Sequence, residues 1–159
     1  MKKFNLFIIK KSFLSSFLIL GSMLGSIYFL CWFIFYKILD KRDIVFVEIS
    51  DHSQVHLFIV LQAIVLAPIL ETYICQWGLY HVLMTSERLR KRKLCIVLIG
   101  AIFFGLLHFF SLSYIIVTTI NGLFFMYAVV IRHNRGGYWL AVLLHAFVNG
   151  LALLLGYFE

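Results

Sequence analysis

Long apolar runs alternate with short polar, mostly basic breaks along this chain, the pattern of successive membrane-spanning helices. A span needs about 20 mainly apolar residues. The first run covers residues 13–36. The second, about 55–84, is longer than one span requires, and Pro68 inside it removes a backbone donor and crowds the carbonyl four residues earlier. A kink near 64–68 is expected there. Beyond a basic break, 95–112 and 114–131 read as two helices joined by a tight turn near Ser111-Leu112-Ser113. Arg132-His133-Asn134-Arg135-Gly136-Gly137 carries a turn signal, and a last helix spans 139–158, opened by Tyr138 and Trp139 at an interfacial position. The expected fold is all-α, a polytopic transmembrane helix bundle of about five spans. Residues 1–54 supply the first helix and a polar outer loop at 37–54, and residues 55–159 form the core.

Composition agrees with the bilayer. Of 159 residues, 63% are hydrophobic and 13% charged, with a mean hydropathy of +0.99, whereas soluble domains carry about 25% charged residues. One compact membrane domain is the economical reading. Lys2, Lys3, Lys10 and Lys11 ahead of an apolar run resemble a signal peptide. The run at 13–36 exceeds an h-region of about 7–15 residues and ends in no small-x-small cleavage site, so a retained first helix is expected. Cys31, Cys75 and Cys95 form no CxxC pair and read as packing residues. Gly21 and Gly25 have the spacing that lets a second helix approach.

The net charge of +7 raises the question of nucleic acid, but its distribution answers it. Basic residues cluster at 2–3, 10–11, 88–93 and 132–135, each beside an apolar run, which suits topology signals and contacts with anionic lipid. The lipid bilayer is the expected partner and nucleic acid is not. With the N-terminus inside, the inner segments hold 11 of the 14 Lys and Arg, leaving only Lys37, Lys41 and Arg42 outside. The positive-inside rule therefore gives an N-in, C-out topology.

Against this apolar background, Glu71 is the one acid inside a long apolar run, directly after Val65-Leu66-Ala67-Pro68-Ile69-Leu70. A carboxylate at bilayer depth is costly and marks a functional position facing protein or water. His108, His145 and Asn149 are further polar residues in apolar runs, with His145 and Asn149 one turn apart on one helix face. Counting inward at about 1.5 Å per residue puts Glu71 and His108 at about 20 Å, and His145 and Asn149 at about 9 and 15 Å. Convergence of the four needs tilt or kinking to absorb that offset. Converged, they have coherent chemistry: Glu71 and His108 hold and deprotonate a water, and His145 and Asn149 donate to the oxyanion formed as it adds to an amide carbonyl. No GxSG motif and no pair of intramembrane Asp residues offers another protease chemistry; Asp40, Asp43 and Asp51 fall in the outer loop. Glu71, His108 and His145 are the candidates for zinc, but no HExxH places two ligands on one helix, and a metal-free site with no cofactor is expected. His52 and His56 read as surface residues, His81 and His133 as interfacial, and Asn121 as a packing hydrogen bond between helices.

The order and spacing of these residues resemble a known family. Ala67-Pro68-Ile69-Leu70-Glu71-Thr72-Tyr73-Ile74-Cys75-Gln76 is similar to an EExxxR motif following Ala-Pro, Phe104-Gly105-Leu106-Leu107-His108 matches FxxxH, and His145-Ala146-Phe147-Val148-Asn149 matches HxxxN. Together they resemble the CPBP intramembrane proteases, or Abi family, which includes the type II CAAX prenyl endopeptidases, over roughly residues 60–155. The resemblance implies that Glu71 and His108 are the water-activating pair and His145 and Asn149 the oxyanion-stabilising pair. It implies a membrane-embedded endopeptidase of a bacterial plasma membrane acting on a peptide or membrane-protein substrate, with a link to bacteriocin immunity or peptide maturation. This chain departs from the first motif, reading ETxxxQ: Thr72 and Gln76 stand where the family has an acid and an arginine. Both charges are absent together at the spacing of an intrahelical ion pair, so no lone buried charge results. The competing expectation is a non-catalytic membrane protein that keeps the protease fold to bind a partner. The sequence leaves the oligomeric state open.

Overall fold

The computed structural model describes residues 7–38 and 57–157. Nearly all of the expected outer loop at 37–54, His52 and His56, and the boundary at 54/55 lie outside the described residues. Within them the chain is helical, without a strand. Helix α1 runs over Phe13–Trp32 and continues through wider turns at Phe33–Ile38. Helix α2 spans Leu57–Met84, α3 Lys93–Leu106, α4 Leu112–Arg132 and α5 Gly137–Tyr157. A single turn at Glu87–Arg90 links α2 to α3. Ser12 and Ser111 cap α1 and α4, each accepting from the backbone N–H three residues on at 3.1 Å.

Four of these helices are long and apolar enough to cross a membrane: Phe13–Phe35, Leu57–Met84, Leu112–Arg132 and Gly137–Leu155. The fold is thus the expected polytopic α-bundle. The expected helix at 95–112 differs: α3 has 14 residues and stops at Leu106. At about 1.5 Å per residue it is about 21 Å long, short of a hydrocarbon core of about 30 Å. His108 itself explains the stop. Its ring Nδ1 donates to the Phe104 carbonyl at 2.8 Å, the acceptor its own backbone N–H would have used in a continuing helix. That N–H turns to the Gly105 carbonyl at 3.0 Å instead, so a side chain has displaced a helical bond.

The irregularity expected around Pro68 is present in a specific form. Residues Gln62–Leu66 form wider, π-type turns, and the Ala67 N–H reaches back five residues to the Gln62 carbonyl. Ordinary α-helix returns for Ala67–Glu71, and a second π-type stretch follows at Thr72–Gly78. Glu71 therefore sits between two distortions of its own helix. More residues per turn means less rise per residue, which shortens the path from Glu71 to the C-terminal end of α2.

Close packing draws the other helices in. A Cβ on Gly122 would lie 3.1 Å from the Ala101 Cα and 3.2 Å from the Phe104 ring, and one on Gly105 would collide with Thr119. These glycines let α3 and α4 touch backbone to backbone. On α1, Gly21 and Gly25 face Leu144 and Phe147 of α5, the approach their spacing predicted. Leu20, Leu24, Phe104, Phe125, Leu140 and Leu144 are buried between the helices. The turn at 132–137 closes through Gly136, whose φ of 78° suits glycine. Arg132, expected as a topology charge, is buried: its guanidinium donates to the Ile8 and Lys11 carbonyls at 3.2 and 3.0 Å and to the Ser16 hydroxyl at 2.8 Å.

Candidate active site

Helices α1, α2, α4 and α5 and the end of α3 enclose a cavity of about 300 Å³. Glu71, His108, His145 and Asn149 all line it. Glu71 Oε2 lies 3.5 Å from His108 Nε2 and 3.8 Å from His145 Nε2. The four residues line one cavity despite the offset in depth expected from simple counting. Oε2 is enclosed and makes no hydrogen bond, while the Glu71 side chain as a whole keeps 38% of its surface exposed. One oxygen thus faces the imidazoles and the rest of the carboxylate reaches open space. Both separations exceed a direct hydrogen bond, and a water in contact with both atoms fits such spacings.

Each imidazole is held in place. His108 Nδ1 donates to a carbonyl, which can only accept, so Nδ1 carries a proton and Nε2 faces Glu71 as the atom that exchanges one. The His145 ring stacks on Phe125, centroids 4.8 Å apart and 19° from parallel, and meets the edge of Phe104 at 5.5 Å. Its Nδ1 lies 3.4 Å from the Thr72 hydroxyl, a long contact that leaves Nε2 toward Glu71. Phe104, buried between the two histidines and Phe125, gives the first residue of FxxxH a packing role.

Asn149 joins the cavity but spends one donor on structure. Its Nδ2 donates to the Ala63 carbonyl at 2.8 Å. That contact fixes the amide's orientation and leaves its second N–H for other partners. Thr72 and Gln76 are fully buried. Gln76 makes no side-chain hydrogen bond with either amide atom. Where the family motif has an ion pair, this chain has a neutral amide without a partner among the described residues.

The cavity has a second polar wall that the sequence reading did not assign. Tyr114, Thr118 and Asn121 of α4 line it, and Tyr28 closes it from α1. Their i, i+4, i+7 spacing on an apolar helix was the available signal. Among the described residues no group of three His, Cys, Asp or Glu side chains is arranged to hold a metal ion. Glu71, His108 and His145 come nearest to a shared centre, with the spacings given above. His81 donates from Nδ1 to the Trp77 carbonyl at 2.9 Å, and His133 lies against Tyr80, so neither enters the cavity.

A family model described as type II CAAX prenyl endopeptidase Rce1-like matches residues 53–151, well over half of the chain. No curated protein and no solved structure matches it.

Proposed function

The chain belongs to the type II CAAX prenyl endopeptidase Rce1-like family, and we propose that it is an intramembrane endopeptidase that hydrolyses a peptide bond with a Glu71/His108-activated water. The observation that carries this reading is the convergence of one carboxylate oxygen on two imidazole Nε2 atoms inside a cavity. In this reading Glu71 takes the proton of a water held between it and His108 as the oxygen adds to the scissile carbonyl. His145 Nε2 and the second Asn149 N–H donate to the oxyanion, and the proton passes from Glu71 to the leaving amine. No covalent acyl-enzyme forms. Water attack of this kind needs no metal, and we propose a site that works without zinc or another cofactor.

The substrate is a peptide or membrane protein presented at the bilayer; a prenyl group is not part of the proposal. The basic clusters support an N-in, C-out topology, and a bacterial plasma membrane is the setting the family resemblance suggests. Roles in bacteriocin immunity or peptide maturation are the settings the family resemblance suggests. The neutral Thr72 and Gln76 favour a second reading, a non-catalytic partner-binding or immunity protein on the same fold.

Purified protein in lipid vesicles, incubated with an unbiased peptide library and read by mass spectrometry, separates these. Internal cleavage that survives 1,10-phenanthroline supports the glutamate mechanism. Cleavage lost on chelation and restored by zinc supports a metal at the same residues. No cleavage of any peptide supports the non-catalytic reading.

A further inference from the structure

Asn121 lies in the middle of α4, in a span with a hydropathy of 2.0, and only 6% of it is exposed. Its side chain makes no hydrogen bond among the described residues, yet its polar atoms are not sealed in protein: the residue lines the cavity. A packing role would give it a neighbouring helix to bond, and it has none. Its neighbour Thr118 is already committed, donating to the Tyr114 carbonyl at 2.7 Å.

Its position along α4 is informative. Tyr114 packs beside His108, ring centroids 5.8 Å apart, and Phe125 stacks on His145 at 4.8 Å. Asn121 falls between these two markers on the same helix face and is about 6 Å along the axis from Phe125. Asn121 and Glu71 line the same cavity from different helices. A primary amide presents a donor and an acceptor side by side, the complement of a peptide's own N–H and C=O. At about 3.3 Å per extended residue, a chain bound with its scissile carbonyl at Glu71 passes Asn121 within about two residues of that bond.

Resting on the endopeptidase reading, we propose that Asn121 is a substrate-positioning residue: its amide hydrogen-bonds the backbone of a bound peptide within two residues of the scissile bond. This recognition does not depend on substrate side chains, and it favours an extended stretch without acidic residues, since no Lys or Arg among the described residues lines the cavity and Glu71 does.

The test uses the best-cleaved library peptide and a set of analogues, each carrying one backbone ester or N-methyl group at the two residues on either side of the scissile bond. Asn121→Leu, with Asn121→Ala in parallel in case Leu is poorly tolerated, is expected to raise KM about tenfold with kcat within about threefold. One analogue is expected to show the same KM increase with the wild-type protein and no further increase with the variants. The proposal is overturned if the variants lower kcat with KM unchanged, or if every analogue loses as much with the variants as with the wild type. If the wild type cleaves nothing, the endopeptidase reading itself fails, and this assignment with it.

Discussion

The Asn149 side chain supplies the Ala63 carbonyl with the hydrogen bond its own helix cannot give, at 2.8 Å. The Ala67 N–H is taken by Gln62, and the next residue, Pro68, has no N–H. A proline in α2 is thus repaired by an amide on α5. Asn149→Leu is expected to lower stability by about 1–3 kcal/mol in a detergent unfolding titration. Pro68→Ala restores a backbone donor and should shrink that loss, giving a coupling of at least about 0.5 kcal/mol in a double-mutant cycle. Strict additivity would show that the two residues do not share this carbonyl.

Thr72 touches His145 through its hydroxyl, and on the endopeptidase reading that contact holds the His145 ring with Nε2 toward Glu71. Thr72→Val should lower kcat about five- to tenfold with little change in KM, and Thr72→Ser should keep most of the rate. Equal rates for Val and wild type would remove Thr72 from the site's support.

Gln76 buries both amide atoms without a partner among the described residues. Gln76→Met fills a similar volume with no polar group to satisfy, so the variant should be as stable as the wild type or more stable by up to about 3 kcal/mol. A loss of about 1 kcal/mol or more in thermal unfolding would mean that the amide has a stabilising partner after all.

Arg132 holds the segment at 8–16 to the C-terminal end of α4 through two carbonyls and the Ser16 hydroxyl. Removing the guanidinium in Arg132→Met should cost about 3 kcal/mol, and Arg132→Lys should recover only part, since an ammonium cannot spread its donors in the same fork. Hydrogen exchange should show residues 8–16 losing protection first. Unchanged protection would separate Arg132 from N-terminal docking.

Much of this was legible in the sequence because bilayer-depth polarity is costly. Glu71, His108 and His145 stood out singly, and the three motifs gave them an order that the fold brings together. Gly21 and Gly25 also met their expected neighbour helix. The parts that escaped depend on where backbone hydrogen bonds go. Periodicity ran α3 through to 112 because every residue from Phe109 is apolar or small, and it carries no sign that the His108 ring takes the Phe104 carbonyl. Pro68 announced a distortion, but not that Asn149 would answer it. Asn121 looked like an interhelical hydrogen bond, since composition cannot tell a packing face from a cavity wall.

The most direct test is the single-turnover cleavage rate of Glu71→Gln in lipid vesicles, measured beside its unfolding midpoint and its affinity for the same peptide. The substitution keeps the size of the side chain and removes the base. The predicted result is a loss of about 10²–10⁴-fold in rate with binding and folding nearly unchanged. A variant that cleaves at the wild-type rate would contradict the assignment of Glu71 as the group that activates water.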